Sequence, residues 1–131
     1  MKKFLLLATL LSLALTTGCA SMADATAARG TGTTRVYDQP FDKVWDALGA
    51  SVRETDLVIV SEDKATGALL AKRSMTAFSY GENVAIFVDR ATGKVSTRVE
   101  IVNKRVLATN ITAPDWDVRL FKALDERLKS N

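Results

Sequence analysis

Histidine is absent from this chain of 131 residues, and cysteine occurs only once. Serine and cysteine nucleophiles in their usual triads need a histidine base, and the common zinc sites use histidines or several cysteines. The sequence therefore excludes both kinds of site. A lone cysteine also leaves no internal disulfide, so the folded part depends on its hydrophobic core.

Carboxylate chemistry remains formally open. A hydrolase of that class needs two acids that face one cleft and have separated pKa values. Glu82, Asp89 and Glu100 are the candidates, but their spacing indicates no such pair, and acids at hairpin ends and on strand exteriors are commonly solvated. We therefore expect no enzyme activity and no cofactor, with a carboxylate-dependent hydrolase as a remote alternative.

Long apolar stretches are also scarce, with one exception near the N-terminus. Lys2 and Lys3 precede a mainly apolar run of 12 residues, 4–15. As a helix this run would span about 18 Å, whereas the hydrocarbon core of a membrane is about 30 Å thick. The pattern is typical of a secretory signal peptide rather than of a transmembrane anchor.

The run ends in Leu-Thr-Thr-Gly-Cys at residues 15–19, which resembles the lipobox of bacterial lipoproteins. The resemblance implies removal of residues 1–18 by cleavage between Gly18 and Cys19, a diacylglycerol on the Cys19 thiol, and a fatty acid such as palmitate on the new amine. Several acyl chains anchor a protein stably. In enterobacterial lipoproteins, an aspartate directly after the cysteine is associated with retention in the inner membrane. Because Ala20 stands there instead, the resemblance implies that the protein lies in the outer membrane and faces the periplasm.

Charge of one sign is not in excess once the signal peptide is removed. Residues 19–131 carry 16 basic and 15 acidic side chains, because Lys2 and Lys3 are lost. This near-neutral balance lacks the basic footprint of a nucleic-acid-binding protein, and an exported protein does not meet nucleic acid in its compartment. We therefore expect no nucleic acid among its partners.

Two regions follow the signal peptide. Residues 19–34 are small and polar without a sustained apolar period, which predicts a lipidated flexible tether. Residues 35–131 are long enough for one hydrophobic core and predict a single globular domain.

Only two prolines occur, and each precedes a helical pattern. After Pro40, apolar residues recur at spacings of three and four through Val52, and after Pro114 they recur every fourth residue through Leu128. Trp45 and Trp116 could stack on a ligand, but their places on these stripes favour core packing. Thr112 and Asp115 form a possible capping box for the second helix.

Between the helices the apolar period falls to two, which predicts strands. The predicted strands cover residues 34–37, 57–61, 67–75, 84–89, 95–101 and 106–111. Ala-Thr-Gly at residues 65–67 and again at 91–93 predicts hairpins with Gly67 and Gly93 in the left-handed conformation, and residues 81–83 offer a third turn.

The predicted fold class is α+β, in the order β-α-β-β-β-β-β-α: an antiparallel meander of five to six strands with two amphipathic helices on one face. The other face, with Arg98 and Glu100, is expected to be exposed unless another molecule covers it.

Side chains near predicted turns supply the binding candidates. Phe78 and Tyr80 lie beside the turn at residues 81–83, where no period dictates burial, although a long strand that covers a helix end would account for them as well. Five basic residues could also form a strip for anionic glycan or lipid, or be an ordinary solvated surface: Lys72, Arg73, Arg98, Lys104 and Arg105.

The chain resembles small proteobacterial envelope lipoproteins of uncharacterised function. The resemblance rests on Arg-Val-Tyr-Asp-Gln-Pro-Phe-Asp-Lys-Val-Trp-Asp-Ala-Leu at residues 35–48, Asp-Lys-Ala-Thr-Gly at 63–67 and the predicted helix at 115–128. More distantly, the chain resembles the helix-grip modules of the C component of the β-barrel assembly machinery. These motifs are structural, so they imply a fold and a location but no catalytic residues.

Taken with the lipobox, the resemblance implies an outer-membrane lipoprotein and leaves its function open. We expect its periplasmic, non-catalytic domain to bind an envelope protein as a scaffold in envelope assembly or maintenance. The alternative is a module that binds a glycan such as peptidoglycan, a lipid or a small molecule in a groove between helices and sheet near Phe78 and Tyr80.

Overall fold

A computed structural model of the chain describes residues 27–74, 81–93, 95–105 and 114–130. These residues form an α+β fold with one antiparallel sheet and two helices, which confirms the predicted class. The elements in chain order are β1 (Thr33–Tyr37), α1 (Phe41–Arg53), β2 (Val58–Asp63), β3 (Ala68–Arg73), β4 (Glu82–Arg90), β5 (Thr97–Arg105) and α2 (Trp116–Lys129).

The sheet is a meander with one return. Strands β2 to β5 pair antiparallel in succession, and β1 pairs with β5, so that the spatial order is β1-β5-β4-β3-β2. Helix α1 connects one edge strand, β1, to the other edge strand, β2. The further strand predicted over residues 106–111 lies outside the described residues.

Both helices begin where the prolines indicate. Pro40 is extended, and its carbonyl accepts a hydrogen bond of 3.1 Å from the Val44 amide, so α1 begins directly after it. Helix α2 begins two residues after Pro114, with Asp115 as its N-cap residue. The proposed capping partner Thr112 lies outside the described residues.

The helices and one sheet face enclose the main core. Its buried residues come from the apolar stripes of α1 and α2 and from alternate positions of β3, β4 and β5. Trp45 and Trp116 are 4% and 1% exposed, so both belong to this core as predicted. Phe41 stacks on Trp45 with ring centroids 5.8 Å apart.

The two Ala-Thr-Gly turns have the predicted backbone. Gly67 has φ of 68° and Gly93 has φ of 82°, both in the left-handed region that favours glycine. Gly67 also approaches the next strand closely, because its carbonyl accepts a hydrogen bond of 2.7 Å from the Val88 amide.

The opposite sheet face, here called the outer face, differs from the expectation. Its central residues form a second buried apolar cluster of Leu70, Ala85, Phe87 and Val102 with Ala28, and Glu100 is only 1% exposed. The prediction that Glu100 would be exposed was wrong, because residues that precede β1 lie against this face. Residues 27–32, which the composition assigned to the tether, thus lie against the outer face.

Candidate functional site

Residues 27–32 form a short segment on the outer face, here called the N-terminal strap. Its backbone turns at Ala28, whose carbonyl accepts hydrogen bonds from the Thr31 amide at 3.1 Å and from Thr31 Oγ1 at 2.7 Å. Gly30 has φ of 91°, which a residue with a side chain rarely adopts. The turn directs the strap along β5 and into β1.

Glu100 holds this strap. It projects from β5, and its Oε1 accepts hydrogen bonds from the Gly30 amide at 2.6 Å and the Gly32 amide at 3.0 Å. Hydrogen bonds that involve a charged group are shorter and stronger than neutral ones. One carboxylate thus satisfies two backbone donors that the sheet does not pair.

Gly32 is necessary for the close contact between strap and sheet. A Cβ atom at this position would overlap the Ile101 carbonyl oxygen and lie 2.8 Å from Val102 Cγ2. The backbone at Gly32 is not in the left-handed region, so the absence of a side chain serves packing here and not conformation.

Ion pairs connect the strap to β4 and β5 beside Glu100. Arg29 pairs with Asp89, and its guanidinium lies 5.0 Å from the centre of the Phe87 ring. Arg98 bridges the two acids, with Nη1 at 3.6 Å from Asp89 Oδ2 and Nη2 at 3.7 Å from Glu100 Oε2. Arg29, Arg98 and Asp89 are between one third and one half exposed, so solvent screens these pairs.

The second oxygen of Glu100 has no hydrogen bond. Oε2 is buried, and none of the described residues donates a hydrogen bond to it. The Arg98 guanidinium lies nearby, with Nη2 at 3.7 Å from Oε2. A buried polar atom that lacks a hydrogen bond costs free energy. Within the described part of the chain, the strap is therefore held through one oxygen of this carboxylate.

An open groove of about 610 Å³ runs beside the strap. The strap and the first residue of β1 form one wall, the end of β5 forms the floor, and the start of α2 forms the other wall. Its lining residues are Thr31, Gly32, Thr33, Ile101, Val102, Asn103, Lys104, Asp115 and Asp117.

Polar groups join the groove walls. Thr33 Oγ1 donates a hydrogen bond of 2.6 Å to Asp117 Oδ2, and Asn103 Nδ2 donates one of 3.1 Å to the Pro114 carbonyl. Asn103 Oδ1 is buried and accepts no hydrogen bond within the described part of the chain. The groove thus lies at the end of a strand and is lined mainly by short polar side chains, a setting in which an extended peptide segment could bind.

The three acids considered for hydrolysis do not converge. Glu82 lies on the helix side of the sheet, where Trp116 Nε1 donates to it at 3.4 Å and Arg73 lies 3.7 Å away. Asp89 is seven residues further along β4 and on the outer face, roughly 23 Å away along the strand. Asp89 and Glu100 share the outer face, but Arg98 lies between them.

The five basic residues do not form one strip. Lys72, Arg98 and Lys104 alternate onto the outer face, whereas Arg73 lies on the helix side next to Asp56 and Glu82. The side chain of Arg105 lies outside the described residues.

Several other predicted positions cannot be placed. Phe78, Tyr80, Gly18 and Cys19 all lie outside the described residues. In the ranges that are described, no helix is long and apolar enough to cross a membrane, and no three acidic, histidine or cysteine residues are grouped as metal ligands.

Sequence reasoning missed the strap and its contact with Glu100. Two signals pointed to them: glycines at positions 30 and 32 immediately before a strand, and an acid at position 100 between strongly apolar neighbours. An acid at a half-buried strand position needs donors, and closely spaced glycine amides can supply them.

Comparisons with known proteins add little to this geometry. No protein-family model matches the chain, and no curated protein matches it significantly. Among solved structures, the chain is similar to the crystal structure of Ara h 8.0201, with 13% identity, a TM-score of 0.38, and coverage of 76% of this chain and 96% of that one.

Proposed function

We propose that this protein is an outer-membrane lipoprotein, anchored through Cys19, whose periplasmic domain is non-catalytic and binds another envelope protein. The lipobox-like sequence supports the anchor. The groove between the strap and α2 carries the proposal of protein binding, because short polar side chains and the end of β5 line an open space of about 610 Å³.

The position of the groove suits an anchored binding module. One of its walls is the strap, which leads directly toward Cys19 in the chain. A partner bound there is held close to the lipid, and tethering raises its effective concentration for other molecules at the same membrane. Such a module would act as a scaffold or accessory subunit in envelope assembly or maintenance.

A glycan-, lipid- or small-molecule-binding module is the alternative from another class. The sequence placed its groove between helices and sheet, but the described part of that interface is filled by the continuous main core. The open groove beside the strap is therefore the better place to look for such a ligand, and one experiment addresses both functions.

That experiment is photocrosslinking in native membranes from the groove residue Lys104, with Lys122 on the exposed surface of α2 as the matched control. We expect one defined envelope protein to be captured from position 104 and not from position 122. Peptidoglycan or phospholipid captured from position 104 alone would support the ligand-binding module instead. Equal capture from both positions would contradict a binding groove.

A further inference from the structure

We propose that the N-terminal strap is a movable wall of the groove, held closed by Glu100 and able to open while the sheet and helices stay folded. An open strap would change access to the proposed binding site. What binds there rests on the proposed function. The opening itself does not.

Among the described residues, a small set of contacts holds the strap against the outer face. Glu100 Oε1 receives its two amides, Ala28 packs into the outer cluster, and Arg29 adds an exposed ion pair with Asp89. By contrast, β4 and β5 pair along their whole length of nine residues. Segments with few buried contacts open at a lower free energy than the strands of the core.

Glu100 holds the closed state through one of its two carboxylate oxygens. Closing the strap removes Glu100 from water. Within the described part of the chain, Oε1 receives two hydrogen bonds and Oε2 faces Arg98 at 3.7 Å. Desolvation of a charged group is costly unless its oxygens are well paired. In the open state water can solvate both oxygens, which offsets part of the lost contact.

Opening would remove one wall of the groove. Thr31 and Gly32 line it, and both lie on the strap. A partner that contacts this wall binds only the closed state and therefore stabilises it, as linkage requires. The amides of Gly30 and Gly32 should become better protected from exchange when the groove is occupied.

Opening would also lengthen the connection to the membrane. From Cys19 to Ala28 the chain advances 9 residues, and to Thr33 it advances 14. Fully extended, these segments span at most about 32 Å and about 49 Å. If Cys19 carries the lipid, the closed strap holds the domain closer to the membrane surface.

Hydrogen exchange of the full chain in detergent micelles tests the proposal. We expect the amides of residues 30 and 32 to exchange more slowly than an unstructured chain and on the order of tenfold or more faster than the central amides of β5. Exchange of the strap at the same rate as β5 would show that it opens only with global unfolding, and would overturn the proposal.

Gly32→Ala and Glu100→Ala provide variants that favour the open state. The first places a methyl group against the Ile101 carbonyl, and the second removes the acceptor of both amides. Each should abolish protection of residues 28–32 and leave β3 and β4 protected. The control Gly93→Ala strains the turn between β4 and β5, where the added methyl group would meet nothing within 4 Å, and it should leave the protection of the strap relative to β5 unchanged.

Loss of protection throughout the sheet in both variants would overturn the proposal, because the strap would then be an integral part of the core. The hydrogen-exchange measurement on the strap requires neither the lipid nor a binding partner. A strap that opens as expected, with no protein captured from position 104, would therefore refute the proposed function alone.

Discussion

Tyr37 joins an edge strand to the last helix through one side chain. Its hydroxyl donates a hydrogen bond of 2.8 Å to Asp125 Oδ1, while Arg35 Nη1 lies 2.6 Å from Asp125 Oδ2. Burial, reinforced by the hydrogen bond to Asp125, raises the pKa of the Tyr37 phenol well above its ordinary value of 10.0. The phenol therefore stays protonated in the folded domain when an unfolded chain would already lose its proton.

Tyr37→Phe should lower the free energy of unfolding at pH 7 by about 0.5–1.5 kcal/mol, the usual contribution of one hydrogen bond. Because the folded pKa is raised, the benefit is fully present below pH 10 and declines at higher pH, where the unfolded phenol ionises. Urea unfolding of both proteins at pH 7, 9 and 11, values chosen to bracket that pKa, measures the difference. A difference that grows at pH 11 would contradict this arrangement.

At the scale of elements, the two hairpins use the same tripeptide in different surroundings. Gly67 and Gly93 both have positive φ. A Cβ at Gly67 would overlap the Val88 carbonyl oxygen, whereas a Cβ at Gly93 would meet nothing within 4 Å. The first turn therefore needs glycine for both conformation and packing, and the second needs it for conformation alone.

Gly93→Ala should destabilise the domain by about 1–2 kcal/mol, the ordinary cost of a left-handed alanine. Gly67→Ala should cost more, because the methyl group also displaces β4 at Val88 and threatens the hydrogen bond from the Val88 amide. Thermal and urea unfolding of the pair, compared with the wild type, isolates the packing contribution. Equal destabilisation of the two variants would mean that β4 adjusts freely at Val88.

At the scale of the whole molecule, the proposed anchor and the domain are connected through the strap. The domain carries its own core, and the described residues include no helix that could cross a membrane. We propose that attachment to the membrane depends on a lipid at Cys19, because residues 15–19 resemble a lipobox.

Cys19→Ser should release the protein into the soluble fraction or leave it as an unprocessed precursor, because the acceptor thiol for diacylglycerol is lost. Membrane fractionation and metabolic labelling with palmitate measure both outcomes, and Ser21→Ala serves as a neighbouring control that keeps the thiol. Normally processed Cys19→Ser protein in the outer membrane would contradict the lipid anchor.

Local patterns predicted most of the fold. The stripes after Pro40 and Pro114 placed both helices within one or two residues, since a period of three to four depends on adjacent positions only. The strand bounds were less accurate. The predicted strand over residues 95–101 is β5, which begins at Thr97 and continues to Arg105, because pairing with β4 and not the local pattern decides how far a strand extends.

The candidate site depended on contacts that no local pattern contains. Glu100 was predicted to be solvated because the alternation of β5 placed it on the outer face, and that placement is correct. It is buried because residues about 70 positions earlier return to the same face and supply two amides. Glu100 and the amides of Gly30 and Gly32 come within hydrogen-bond distance only when the chain folds.

The sequence by itself determined the fold class, the helix starts and the glycines of the hairpin turns, since each follows from composition or from neighbours a few residues apart. The route of export is likewise predicted from a local pattern. Only the tertiary structure decided that residues 27–32 cover part of the outer face and that a groove lies beside the strap. The physical reason is that burial of Glu100 depends on distant backbone donors, and their positions are set by the pairing of β1 with β5.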